Sequence, residues 1–498
     1  MFAKVKTVSF VGLDVKEIEV QVHITRGVPM FSIVGLANKS VSEAKERVRS
    51  AIASSGFSFP QNRITINLAP ADIIKDGSHY DLPIAIGILI SIGLIDQESI
   101  DGNIIVGELS LDGNLHRIGG ILPTAIYAKN NHLGLITPFE CANEALFIDE
   151  KLKIIPAKSL SNLISILQGY STVELPKPIT IEEVSDIGVC FSEVKGQEHA
   201  KRALEIAASG RHNVLMKGMP GSGKSMLAKR MATIMPELSL EEMLEIGTIH
   251  SISNSSIKDF SMSKQIPYRA PHHSASTASI VGGGKKAKPG EITLAHKGIL
   301  FLDEFAEYQA NVLEALRQPM ETREITISRV ENHVTYPADF ILIAAMNPCK
   351  CGYLGDSNKE CGKAPLCAQD YTRKISGPIM ERIDMHITVN PSTANIFAEN
   401  QQPSEKSSEI KKRVLHSREI QERRYQAKKT NAQMNNFEIE EFCKLTPECD
   451  KIIQSAMERF GLSIRQYHKI LKISRTIADL AFSQDIQKPH LMEALGYR

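Results

Sequence analysis

Apolar positions along the chain switch between a period of two and a period near 3.6, and the switches divide it into three stretches. Residues 4–10 and 17–24 carry valine and isoleucine on alternate positions and read as half-buried strands. Residues 42–54 place Ala44, Val48 and Ala51 on one face of an amphipathic helix. A further strand is expected at 63–68. The run at 82–95, fourteen residues with one proline and two glycines, reads as a buried helix; a membrane span needs about 20 apolar residues. Strands at 103–111, 132–137 and 153–156, with a helix from Ile121 between them, complete a mixed α/β domain at 1–168. Residues 169–188 carry two prolines and four carboxylates with little periodicity and read as a linker. Helix–strand alternation resumes at 189–395, and 396–498 reads as all-helical after a polar stretch.

Composition narrows this picture in three ways. A chain of 498 residues suits about three domains, and 42% hydrophobic with 23% charged residues excludes wholesale disorder. The balance of 58 basic against 57 acidic residues leaves +1, which excludes a globally basic nucleic-acid binder. Any polyanion must then meet a local patch. Eight cysteines are too few for a disulfide scaffold. No signal peptide is visible at the start, so a cytoplasmic location without membrane contact is expected.

The chemistry concentrates in the middle stretch. Gly218-Met-Pro220-Gly221-Ser222-Gly223-Lys224-Ser225 satisfies G-x-x-x-x-G-K-[ST], between an apolar strand at 213–216 and a helix at 225–235. Strand, loop and helix in that order are what ATP phosphates require. Glycines let backbone N–H groups close around them, Lys224 neutralises β/γ charge, and Ser225 can ligate Mg²⁺. A second buried strand at 298–302 ends in Asp303 and Glu304. Carboxylates at that edge would hold Mg²⁺ (Asp303) and polarise the attacking water (Glu304). A third, at 340–346, ends in Asn347, which could position that water or sense the γ-phosphate.

Together with the segments YRAPHHSASTASIVGGGKKAKPGEITLAHKGILFLDE, AAMNPCKCGY and SGPIMERIDMH, these motifs resemble the magnesium-chelatase-like YifB/ComM family of AAA+ ATPases over nearly the whole chain. The resemblance implies an α/β P-loop AAA+ core, an N-terminal Lon-C-like (ribosomal-S5 domain-2-like) α/β domain, and a C-terminal helical lid. It further implies a hexameric ring that hydrolyses ATP with Mg²⁺ and acts on single-stranded or branched DNA, as a helicase or branch-migration motor. The alternative is a protein-remodelling or metal-chelatase motor. By the same resemblance Arg382 is the finger that reaches a neighbour's ATP, and Arg465 matches a sensor arginine, with Arg475 competing. Two insertions would face the ring's pore. One spans 268–291 and carries Lys285, Lys286 and Lys288; the other is a hairpin at 324–337 with Arg329 near its turn.

Four features stay open at this level. The adjacent His272 and His273 are expected to point apart on a strand, without partners, so they are not read as metal ligands. Cys349, Cys351, Cys361 and Cys367 fall within 19 residues and suit either structural Zn²⁺ or reduced thiols. In the loop Lys75-Asp-Gly-Ser78-His79, the protease-like serine position falls on His79, and the partner-lysine position is Leu122, which disfavours proteolysis. Residues 405–429 hold nine basic and four acidic residues, a net of +5, and read as a charged helix, solvated or on DNA.

Overall fold

The structure, a computed structural model, describes residues 2–177, 188–253, 263–284, 287–328, 333–354, 361–363, 365–390 and 404–498. Part of the expected linker (178–187) and the expected border near 395 lie outside the described residues. The chain divides into two compact units. One lies within 1–182 and 243–262, the other within 183–242 and 263–498.

In the first unit, strands Phe2–Val11 and Asp14–Thr25 pair antiparallel, and Arg63–Ala69 joins the second of them antiparallel. Met30–Val34 adds to Arg63–Ala69 in parallel. Alternation sends Ile18, Val20, Val22 and Ile24 of one strand and Ile64, Ile66 and Leu68 of its neighbour into one core. Helix Asp81–Ser91 lies in that core, with ten of its eleven residues buried. Gly87 permits the approach, because a Cβ there would sit 2.5 Å from Val22 Cγ2. The helix stops short of the expected 95, since Gly93 adopts φ 79°. The strand expected at 103–111 is two pieces. Asn103–Ile105 joins a parallel sheet with Gly134–Pro138 and Ile154–Ala157, while Glu108–Leu109 pairs with Leu115–His116. A second apolar cluster, including Val8, Ile104 and Leu135, fills the space beside helix Ile121–Asn130.

The second unit is built on a parallel sheet in the order Tyr268–Arg269, Ile299–Leu302, Ile341–Met346, Val214–Lys217, Met385–Thr388. Of its three central strands, Ile299–Leu302 and Ile341–Met346 are continuous apolar runs and Val214–Lys217 is apolar up to Lys217, as expected where helices cover both faces. Residues 268–269 were expected to open an insertion. They form the edge strand instead, and two residues are too few to show a period. The insertion that follows is closed at its base by Arg269, whose Nε and Nη2 donate to Glu291 at 2.6 and 2.7 Å.

Helices follow from Ser407 onward. Ser407–Tyr425 buries Ser407, Ile410, Val414, Ser417 and Gln421, a stripe at helical spacing. Much of its positive charge meets partners within the unit. Arg413 pairs with Glu205 and Glu405, Arg424 with Asp479, Lys411 with Glu237 and Lys428 with Glu241, and Arg418 Nη2 donates to the Ala208 carbonyl at 2.5 Å. Helices Asn436–Phe442, Pro447–Phe460, Ile464–Leu480 and Lys488–Leu495 complete this part. Among the described residues, no helix is long and apolar enough to cross a membrane.

One ion cluster braces the sheet. Asp339, just before strand Ile341–Met346, accepts from Arg211 Nη2 at 3.0 Å and lies 3.6 Å from Lys297 Nζ and 3.8 Å from Arg323 Nε. Burial pushes its carboxyl up, but Arg211, Lys297 and Arg323 outweigh this and hold it at about 2, below its ordinary 3.8. A depressed carboxyl stabilises the fold above its unfolded value, and the gain is lost as pH falls through its folded value. Asp339→Asn is therefore expected to cost about 2 kcal/mol in a urea titration at pH 7. The gap to the parent should narrow from pH 4 toward pH 2.

Candidate nucleotide site

Three loops converge at the carboxyl edge of the parallel sheet. Strand Val214–Lys217 runs into the glycine-rich loop, and its neighbour Ile341–Met346 ends at Asn347. The next strand, Ile299–Leu302, ends at Asp303 and Glu304. Their adjacency follows from the strand order, and open α/β sheets bind ligands at this edge.

The loop's glycines have different tasks. Gly221 (φ 77°) and Gly223 (φ 90°) occupy left-handed backbone that other residues rarely adopt. At Gly218 a Cβ would collide with the Val389 carbonyl. Helix Lys224–Ile234 then begins at Gly223 without a side-chain cap, which leaves its first N–H groups aimed at the loop. Ser222 is buried and its Oγ has no hydrogen-bond partner, a polar atom suited to a phosphate oxygen. Pro220 and Gly221 form the exposed rim.

Lys224 is also buried. Its Nζ donates to the Gly218 carbonyl at 2.8 Å, the Met219 carbonyl at 2.9 Å and Asn347 Oδ1 at 3.3 Å. Burial lowers the pKa of its ammonium, and the Asp303 carboxylate opposes that shift. Ser225 Oγ donates to Asp303 Oδ2 at 2.7 Å. A hydroxyl and a carboxylate at this separation form an all-oxygen donor pair that fits Mg²⁺, which binds through one or two protein oxygens and keeps several waters.

Glu304 follows the buried strand in a left-handed conformation (φ 52°), and its N–H donates to Asp303 Oδ1 at 2.9 Å. Its Oε2 lies 2.9 Å from His273 Nδ1. The histidine pair departs from expectation here. The two residues lie in a turn rather than a strand, their rings are 4.2 Å apart, and His273 reaches Glu304. His272 Nδ1 in turn meets Ser274 Oγ at 2.7 Å. The sequence offered no signal for His273, because the contact spans two loops 31 residues apart.

The structure therefore gathers Lys224, Ser225, Asp303 and Asn347, with Glu304 beside them. Arg382 and Arg465 meet elsewhere, on one carboxylate. Glu321 Oε1 accepts from Arg382 Nη2 at 2.5 Å and from Arg465 Nη2 at 2.8 Å, and this pairing holds the Glu321 carboxyl below its ordinary range. Arg382 Nη1 also donates to the Pro378 carbonyl at 2.6 Å, while its Nε is buried without a partner. Arg475, the competing sensor, is buried and engaged by Asp479 and by the carbonyls of Ser483 and Gln484.

The two insertions touch each other. Glu324–Ser328 and His333–Pro337 form the expected hairpin. Tyr336 Oη donates to the Ala287 carbonyl at 2.9 Å, and a Cβ on Gly282 would lie 2.5 Å from Ile327 Cδ1. Lys288 is exposed in the ribbon Gly282–Gly283 with Lys288–Pro289. Lys285, Lys286 and Arg329 lie outside the described residues.

In the N-terminal unit, Ser78 Oγ donates to Glu108 and Lys75 Nζ to the Pro70 carbonyl. His79 is buried against the Val8 carbonyl at 2.9 Å, and burial lowers its pKa to about 4. Leu122 is buried in its helix. The serine faces a carboxylate, not an amine.

A family model described as magnesium chelatase, subunit ChlI, matches residues 190–397. A model of subunit ChlI of Mg-chelatase matches 20–141, and one of its C-terminal part matches 404–498. Competence protein ComM of Haemophilus influenzae is 42% identical over 496 residues, covering 98% of this chain and 95% of that protein. YifB of Escherichia coli is 40% identical over 494 residues, covering 99% and 96%. An archaeal Lon protease of Thermococcus kodakarensis is 37% identical over 94 residues, 19% of this chain and 13% of the protease.

Proposed function

Because the chain belongs to the magnesium-chelatase-like YifB/ComM family of AAA+ ATPases, we propose that it forms a hexameric ring that couples ATP hydrolysis to movement along DNA. Its task in this reading is helicase or branch-migration work on single-stranded or branched DNA during recombination of incoming DNA. The observation that carries the ATPase half is the convergence of Lys224, Ser225, Asp303 and Asn347 within hydrogen-bond reach. The DNA half is supported by the competence role in the name of the Haemophilus relative. The paired insertions support it too, since they leave Lys288 exposed.

The residues divide the work as follows. The loop N–H groups and Lys224 bind the β- and γ-phosphates. Ser225 and Asp303 would hold Mg²⁺, which would supply positive charge to offset the negative charge that develops during phosphoryl transfer. Glu304 polarises the attacking water, and Asn347 orients it from beside Lys224. Arg382 reaches a neighbouring subunit's ATP once Glu321 releases it, which makes hydrolysis depend on assembly. Arg465 on its helix shares that carboxylate and senses the nucleotide in its own subunit. Arg382→Ala is expected to slow steady-state hydrolysis by at least about tenfold with ATP binding retained. Hydrolysis at the parent rate would refute the finger assignment.

ATPase activity measured with and without single-stranded and forked DNA, beside a strand-displacement assay and a casein digest, tests the whole reading. DNA stimulation with displacement supports it. Neither stimulation nor displacement leaves the protein-remodelling or chelatase-type motor, and casein cleavage would reopen the protease reading despite His79 and Leu122.

A further inference from the structure

Past Asn347 the chain turns through Cys349 and Cys351, and Cys361 and Cys367 return to the same place, Cys367 from the first turn of helix Leu366–Arg373. All four Sγ atoms lie within 4.8 Å of one another, and those of Cys349 and Cys351 are 3.1 Å apart. Thiolates bound to one tetrahedral Zn²⁺ at about 2.3 Å stand about 3.8 Å apart, a value inside this range. Among the described residues, this is the one group of three or more His, Cys, Asp or Glu side chains that converges so closely. Chance thiols along a loop have no reason to aim at a common point. Four soft sulfur donors with no carboxylate select Zn²⁺ over Mg²⁺ or Ca²⁺, and a closed set of four marks a structural site. Lys350 and Lys363 are exposed within the same stretch and suit the dianionic charge of a zinc tetrathiolate.

We propose that Cys349, Cys351, Cys361 and Cys367 bind one structural Zn²⁺ ion that braces the phosphate loop from outside. The brace is Gly352, in the turn that the metal closes. It adopts φ 84°, and a Cβ there would lie 2.7 Å from Pro220 Cγ and 2.8 Å from Pro220 Cδ. Backbone thus packs directly on the ring of a phosphate-loop residue, and only glycine allows the approach. Cys349 is also two residues from Asn347, which accepts from Lys224. Closing the cysteine turn fixes both contacts at once. The zinc site stands without the ATP reading, while its coupling to nucleotide affinity rests on that reading.

Metal analysis of the full chain, purified under reducing conditions without chelator, is expected to find one zinc per chain. Exchange for Co²⁺ should give the intense visible bands and near-ultraviolet sulfur-to-metal absorption of a tetrahedral thiolate site. Cys361→Ser with Cys367→Ser should lose the metal and weaken ATP binding several-fold. Cys361→His should keep the metal and shift the cobalt bands, which separates ligation from misfolding. The site is overturned if the reduced chain takes up neither zinc from a buffered supply nor cobalt with a thiolate spectrum, or if the double serine variant keeps its zinc. Unchanged ATP affinity after zinc loss overturns the brace. Lys224→Ala should lose ATP and keep zinc, so failure of the nucleotide reading is distinguishable from failure of the metal site.

Discussion

Lys224→Ala is expected to abolish ATP binding at ordinary nucleotide concentrations, and hydrolysis with it. The ammonium is not a free surface charge. It is buried and held by two loop carbonyls and Asn347, so it is positioned before nucleotide arrives. A preorganised donor in a partly desolvated anion site contributes far more than a solvated lysine, and removing one such donor costs on the order of 10²–10³. The glycines and the helix start remain, but backbone dipoles alone cannot neutralise a triphosphate. Titration with a fluorescent ATP analogue reads the loss directly. A thermal melt of the apo variant, expected to stay close to the parent, shows that the loop has not collapsed. Parent-like affinity in the variant would remove the phosphate-loop assignment and the mechanism built on it.

The parts of the site that were legible in the sequence are those fixed by local constraints. Gly223 occupies left-handed backbone, so its place directly before Lys224 is written into the motif. The strands that end at Leu302 and Met346 are buried on both faces and read as unbroken apolar runs. Contacts made through space left no such trace. His273 meets Glu304 only because the turn after the edge strand lies beside the end of the next strand. Glu321 gathers Arg382 and Arg465 from 61 and 144 residues away. The +5 count at 405–429 likewise could not show which charges are met through space, since Arg413 finds Glu205 at a separation of 208 residues and Arg424 finds the buried Asp479. Net charge along a segment says where charge is carried, and the fold decides how much of it faces solvent.

Glu304→Gln should separate binding from hydrolysis. The substitution preserves size and the ability to accept a hydrogen bond, but the amide cannot take up a proton or carry the negative charge that polarises water. Lys224, Ser225 and Asp303, which would hold the nucleotide and Mg²⁺, are untouched. ATP affinity should therefore stay near the parent's, while single-turnover hydrolysis falls by about 10²–10⁴, the usual range for losing a general base. ATP should remain on the protein through gel filtration, and any ATP-dependent assembly should persist instead of decaying. The local geometry supports a dedicated role. A non-glycine residue at φ 52° costs on the order of 1–3 kcal/mol, and such strain persists where surrounding structure holds it and function uses it. Here the Asp303 carboxylate holds the Glu304 N–H and His273 holds the side chain, so the carboxylate is aimed and not merely present. The paired measurement decides the assignment. Retained binding with lost hydrolysis fixes Glu304 as the group acting on water, whereas parent-rate hydrolysis would move that role to another residue at the same sheet edge.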